Sequence, residues 1–224
     1  MIDVTTGTKT AFASPPHAET VLGDGARLWL WRLPEGHLPE ALMDRLMASL
    51  EWEQPEIRLF GRWQRIPRLQ YWCADEGVSY RYSARTLPAA PWTQELSCLR
   101  QMTEQLTGLS FNSVLVNLYR DGQDAMGWHA DDEAELGPEP WIASWSFGAS
   151  RDFCLRRKGE SRIRHRMTLE HSSLLLMSPA VQHHWQHALP RRQRVRQARL
   201  NLTFRRVLPQ AAKRVSSGRG FSTP

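Results

Sequence analysis

The chain has 224 residues, of which 41% are hydrophobic and 23% charged, enough for one sizeable globular domain. Its formal charge of +6 and pI near 9.7 point toward an anionic partner. No stretch approaches the ~20 apolar residues that a bilayer crossing needs, and the N-terminus lacks the basic start and apolar run of a secretory signal. Cys73, Cys98 and Cys154 are scattered with no CxxC spacing, which argues against a thiolate zinc site or a disulfide framework and fits a reducing compartment.

In chain order, residues 1–20 read as a disordered leader. "HLPEALMDRLMASLEWE" places Leu38, Leu42, Leu46 and Leu50 four residues apart, which predicts an amphipathic helix. "APWTQELSCLRQMTEQLTG" predicts a second, opened by Pro91 and closed by Gly108. Residues 56–86 between them read as strands. From residue 111 onward short β-type runs follow one another: "SVLVNLY", "IASWSFG", "RDFCLRR", "SSLLLMS" and "ARLNLTFRR", separated by turn residues such as Asp121-Gly122 and Lys158-Gly159. The expected fold class is β-rich α+β, an antiparallel sandwich or barrel with N-terminal support helices. Residues 209–224 read as a basic, flexible tail.

The chemistry begins in "ARLNLTFRR". Alternation puts Leu200, Leu202 and Phe204 on one face and Arg199, Asn201, Thr203 and Arg205 on the other. A polar strand face in water would be unremarkable. If it faces inward, however, two guanidinium groups need an anion, because unpaired buried charge is very costly. A small dianion between them on a curved strand meets that need, and the planar arginine fork suits carboxylates.

Upstream, "NLYRDGQDAMGWHADDE" places Asn117 and Tyr119 on one strand face, then His129 and Asp131 two residues apart. An HxD pair alone is a weak signal. Two histidines and one carboxylate, with the remaining positions open, form the facial triad of non-haem Fe(II) oxygenases. "QHHWQHALP" offers His183, His184 or His187 as the third ligand. Open positions on such an iron take a chelating 2-oxo acid and dioxygen, and a second carboxylate on that acid accounts for Arg199 and Arg205. Zinc would accept the same three ligands but leaves the arginines unexplained.

With these residues in order, the sequence resembles the AlkB family of Fe(II)/2-oxoglutarate dioxygenases over residues 57–208, and within it the homologues acting on double-stranded DNA. "NLYRDG", "HADDE", "IASWSFGASRDF", "HHWQHALP" and "RLNLTFR" carry the resemblance. It implies a double-stranded β-helix (jelly roll) in a single domain spanning 21–208, with a nucleotide-recognition region at 57–110 and the catalytic core at 111–208. His129, Asp131 and His187 match the iron ligands. Asn117, Tyr119, Arg199, Asn201, Thr203 and Arg205 match the 2-oxoglutarate pocket. "RLFGRW" resembles the finger of the duplex-acting members, with Phe60 entering the base stack beside Gly61 and Arg62. Tyr80 and Tyr82 in "SYRYS", together with Arg68, Asp132 and Glu133, match substrate-region positions.

The resemblance also implies the activity: demethylation of N1-methyladenine and N3-methylcytosine in DNA, by an intracellular monomer that engages no membrane. A dioxygenase of the same fold acting on RNA, protein or a small molecule is the alternative. Three departures stand out. The "RRKGESRIRHR" loop is shorter than its counterpart in the human duplex-acting protein, Arg62 replaces a lysine, and Gln186 replaces an aromatic common beside the last ligand.

Overall fold

The computed structural model describes residues 12, 14–34, 36–38, 41–59, 61–78, 80–82, 85–87 and 89–208, with backbone alone at 59, 80–82 and 85–87. Strands β1 (Ala18–Gly23) and β2 (Ala26–Arg32) form an antiparallel hairpin. Its turn, Gly23-Asp24-Gly25, has positive φ at all three residues, which two glycines and an aspartate tolerate. Helix α1 (Leu42–Ser49) follows, then the ribbon of β3 (Glu56–Leu59) and β4 (Arg62–Arg65), then β5 (Leu69–Ala74). A second ribbon pairs β6 (Tyr80–Tyr82) with β7 (Arg85–Leu87). Helix α2 (Gln94–Thr107) is capped by Thr93, whose hydroxyl accepts from the Leu96 N–H. Gly108 ends it at φ 68°. Thr93, not Pro91, thus marks where the helix begins.

The remaining elements are β8 (Ser113–Tyr119), β9 (Met126–His129), β10 (Ile142–Gly148), β11 (Arg151–Arg157), β12 (His165–Leu169) and β13 (Ser173–Met177). The short helix α3 (Pro179–His184), β14 (Trp185–Leu189) and β15 (Arg199–Arg205) complete the chain. A seven-stranded sheet has the order β1-β2-β13-β10-β15-β8-β5, and a four-stranded sheet the order β12-β11-β14-β9. All pairings within both sheets are antiparallel. The fold is the expected jelly roll.

Two apolar layers hold it together. Leu46 and Leu96 from the helices pack with Leu200, Leu202 and Phe204 on one face of the large sheet. Leu115 and Leu175 on its other face pack with Phe153, Leu155 and Trp185 of the small sheet. Leu202 is fully buried, and truncating such a leucine costs about 2–5 kcal/mol. The large sheet is therefore covered on both sides, and the polar face of β15 points into the molecule, not into water.

Two expected boundaries move. The leader expected through residue 20 gives way earlier to ordered chain: Phe12 packs edge-on against Trp29 and Trp31, the Ser14 carbonyl accepts from the Trp31 indole, and β1 opens at Ala18. The jelly roll also extends beyond 111–208, because β1, β2 and β5 complete the large sheet. The strand hydrogen bonds that β13 and β8 would otherwise leave open are met by these N-terminal strands. The tail from 209 lies outside the described residues.

Candidate metal centre and cosubstrate pocket

Strand β15 sits between β10 and β8 and is buried along its whole length. Leu200, Leu202 and Phe204 enter the helix-side core, so Arg199, Asn201, Thr203 and Arg205 face the small sheet. Arg199 and Asn201 are met from the neighbouring β10, Thr203 Oγ1 donates to Asn201 Oδ1 on the same strand, and Arg205 reaches the segment after β9. Arg199 Nη2 donates to Ser146 Oγ at 2.8 Å. Asn201 Nδ2 donates to Ser144 Oγ and to the Trp145 carbonyl, both at 2.7 Å. Arg205 Nε donates to Asp131 Oδ1 at 3.1 Å, and its Nη2 reaches the same oxygen.

Arg199 has no acidic partner among the described residues, and its Nε has no hydrogen-bond partner. Its guanidinium carbon lies 5.4 Å from the centre of the Tyr119 ring, the residue opposite it on β8. Burial pulls its pKa down to about 10, so it remains a cation at neutral pH. A buried cation held only by a hydroxyl and a ring face is a site prepared for an anion.

The metal centre lies at the other end of the same cavity. His129 ends β9, His187 is directly opposite it on β14, and Asp131 follows two residues after His129. Asp131 lies beyond the strand, so extended alternation does not place it. Its backbone N–H instead donates to Oε1 of the fully buried Gln182, on α3, at 3.0 Å. One potential ligand atom from each of His129, Asp131 and His187 lies within 4.8 Å of the others.

The donor set fits Fe(II). His129 Nδ1 lies 2.9 Å from the Gly127 carbonyl, which leaves Nε2 for a metal. Asp131 Oδ1 is taken by Arg205, while Oδ2 sits 3.5 Å from His187 Nε2. Burial and the neighbouring His187 bring the His129 pKa down to about 3, so its ring is neutral and its lone pair available. Burial disfavours the Asp131 carboxylate, but Arg205, His187 and His129 outweigh it and hold the pKa well below the usual range. His187 Nδ1 is buried without a hydrogen-bond partner among the described residues.

The nine residues expected at the iron and the cosubstrate thus line one cavity: His129, Asp131, His187, Asn117, Tyr119, Arg199, Asn201, Thr203 and Arg205. His183 and His184 are exposed at the end of α3 and do not line it. Arg68, expected at the substrate, is only 3% exposed, and its Nε donates to Asn117 Oδ1 at 2.8 Å. It braces the pocket wall instead of presenting its charge at the surface. Asp132 is exposed and pairs with Lys158 at 2.6 Å, while Glu133 is half-buried with an unpartnered Oε2. Gly61 and Arg62 are exposed on the β3–β4 ribbon, where Trp63 is also 68% exposed. Phe60 and the side chains of Tyr80 and Tyr82 lie outside the described residues.

Comparison with known proteins places this geometry. A family model described as the 2OG-Fe(II) oxygenase superfamily matches residues 35–205, most of the chain. The chain belongs to that superfamily. Within it, the mouse DNA oxidative demethylase ALKBH2 is 43% identical over 184 residues, spanning 76% of this chain and 77% of that protein. The human ALKBH2 is 45% identical over 159 residues, spanning 68% of this chain. The human alpha-ketoglutarate-dependent dioxygenase alkB homolog 3 is 40% identical over 178 residues, spanning 75% of this chain. The chain covers 61% of the length of each of these two human proteins. The solved structure of OsALKBH1 superposes with a TM-score of 0.55 at 16% identity, over 84% of this chain and all of that one. This oxygenase is a member of the AlkB family, and membership implies Fe(II), 2-oxoglutarate and dioxygen as its cofactor and cosubstrates.

Several residues of the pocket were not singled out from sequence. Ser144 and Ser146 hold Asn201 and Arg199 from β10, and two serines spaced by two in an apolar strand were the available signal. Gln182 had no such signal, because its partner lies 51 residues away.

Proposed function

We propose that this oxygenase removes N-linked methyl groups from damaged DNA bases, N1-methyladenine and N3-methylcytosine, as a monomer inside the cell, at the nucleoid or in the nucleus. The observation that carries the proposal is the convergence of His129, Asp131 and His187 on one cavity with Arg199 and Arg205. The DNA oxidative demethylases among its relatives supply the substrate class.

In this reading His129 Nε2, Asp131 Oδ2 and His187 Nε2 hold the iron. Arg205, bonded to the ligand carboxylate, serves the 2-oxo end of the cosubstrate, and Arg199 beside Tyr119 serves the far carboxylate. With dioxygen, bound Fe(II) and 2-oxoglutarate supply the oxidant that hydroxylates the N-methyl carbon, giving succinate and carbon dioxide, after which the hydroxymethyl group leaves as formaldehyde. Asn117, Asn201 and Thr203 line the wall between the two ends and orient the cosubstrate. Arg205 keeps Asp131 Oδ1 occupied, so the carboxylate presents a single oxygen inward.

The surface suits a nucleic acid. Arg191, Arg194 and Arg196 are exposed on the loop after β14, and no acid pairs with them among the described residues. Phosphate contacts there would make binding salt-dependent. The target bases carry a positive charge and do not pair, which lowers the cost of flipping one out. Glu133, with an unpartnered buried oxygen, and Asp132 follow the metal ligand and complement that charge. The family resemblance assigns Phe60, with Gly61 and Arg62, to the gap in the base stack and Tyr80 and Tyr82 to the damaged base.

The test is formaldehyde and succinate release from matched single- and double-stranded oligonucleotides carrying one N-methyl base. Wild type should release both products in equal amounts, and Phe60→Ala should lose far more activity on the duplex. No formaldehyde from any methylated DNA, with turnover on methylated RNA, would move the assignment to RNA.

A further inference from the structure

The two histidines of the metal centre come from adjacent strands of the small sheet. Between its register partners β9 runs three steps, Met126 to His129, while β14 runs two, Leu189 to His187. β9 therefore carries one extra residue, a β-bulge, which bends a strand and interrupts its ladder. The bulge brings the Gly127 carbonyl to His129 Nδ1. It also leaves the pairing of the two ligand strands short of backbone bonds at the place where their separation matters most.

On the outer face of the sheet, away from the cavity, three half-buried side chains meet over this point. Trp128 precedes His129, and Gln186 precedes His187. Arg156 is opposite Gln186 on β11. Arg156 Nε and Nη2 both donate to Gln186 Oε1, at 3.1 and 2.9 Å. Its guanidinium carbon lies 4.3 Å from the centre of the Trp128 ring, within cation–π range. One guanidinium thus grips the residue before each histidine ligand.

We infer that Arg156 is a positioning residue for the metal centre, clamping β14 to the bulged β9 through Gln186 and Trp128 and so fixing the separation of His129 and His187. The inference rests on the metal centre proposed above. It assigns Arg156 a duty that its place in the basic 151–166 cluster does not suggest. An arginine used only for phosphate would not need its fork turned onto a neutral amide and an indole in the absence of DNA. The glutamine that replaces the family's usual aromatic beside the last ligand has its carbonyl oxygen in this clamp.

The experiment measures Co(II) affinity of the full chain without DNA or 2-oxoglutarate, through the visible absorption of the bound ion, alongside the melting temperature of the metal-free protein. Arg156→Met and Trp128→Ala should each weaken Co(II) binding about 10–100-fold and alter the absorption band, the range typical of outer partners of metal ligands. Trp128→Phe, which keeps a ring, should stay within about threefold of wild type. Because the side chains act as one unit, the double variant should be no more than about threefold weaker than the weaker single. Wild-type Co(II) affinity in Arg156→Met and Trp128→Ala would overturn the clamp, and reduced DNA affinity in the same Arg156 variant would give that residue to phosphate. If Arg156→Met melts too low to assay, the comparison of Trp128→Phe with Gln186→Leu decides, with only Gln186→Leu expected to weaken the ion. Failure of wild type to bind Co(II) would instead sink the metal centre itself.

Discussion

Replacing Asp131 by alanine should destabilise the metal-free protein, quite apart from abolishing iron binding. Asp131 is 2% exposed and Arg205 6%, and two nitrogens of the arginine reach one carboxylate oxygen. Removing the acid leaves a guanidinium buried beside the neutral His129 ring. Breaking a buried pair from one side costs about 3–5 kcal/mol, because the remaining charge has lost its carboxylate. For a domain of this size that is about 6–20 °C in melting temperature, at roughly 2–4 °C per kcal/mol. Urea and thermal unfolding in excess chelator separate this effect from lost metal. The double variant Asp131→Ala/Arg205→Met removes both charges and should recover most of the loss, to within about 1–2 kcal/mol of wild type. An Asp131→Ala protein within about 1 kcal/mol of wild type would refute the reasoning, as would a double variant less stable than the single.

Arg199→Met should raise the KM for 2-oxoglutarate about 10–100-fold, the loss expected from charge-assisted bonds of about 1.5–3 kcal/mol, with a much smaller change in kcat. A fall in kcat at unchanged KM, read by succinate formation against 2-oxoglutarate concentration, would count against its place at the far carboxylate. The metal-free protein should also lose stability as pH falls from about 6.5 toward 3. The unfolded chain takes up a proton on His129 near its model value of 6.5, and the folded chain resists it down to about 3. Asp131, also depressed, adds a loss of the same sign at lower pH, below about 3.8. Urea midpoints from pH 7.5 to 5 should therefore fall more steeply for wild type than for His129→Gln, and equal slopes would contradict a ring held neutral by its surroundings.

Several strands were legible in the sequence to the residue. "SVLVNLY", "IASWSFG" and "RDFCLRR" coincide with β8, β10 and β11, because β-branched and aromatic runs there end at turn residues that stop them. The polar face of β15 was legible as a pattern, but its direction was not. Whether Arg199 and Arg205 meet water or a cavity depends on the small sheet packing over them, a contact between segments far apart in the chain. The first hairpin was missed despite Asp24-Gly25, a strong turn signal, since "LWLWR" is apolar in runs and does not alternate. The His129–Asp131 pair was within reach of spacing and His187 was chosen among three histidines by the family resemblance, whereas the groups that aim the ligands were out of reach of both. Gln182 holds the Asp131 backbone from another element, and Arg68, expected at the substrate, is buried and bonded to Asn117 across the sheet.

The burial of β15 bears on the lifetime of the protein as well as its chemistry. An interior strand of the large sheet carries, in Arg199, a cation that no acid of the described fold neutralises. On the pocket assignment proposed above, the dicarboxylate cosubstrate would satisfy it in the folded chain and find no such site in the unfolded one. By mass action, its concentration relative to Kd then adds to the folding equilibrium, by about 2.7 kcal/mol at a hundredfold excess. Cosubstrate supply thereby acts as a chaperone of sorts, and a cell short of this metabolite would hold less of the enzyme as well as a slower one.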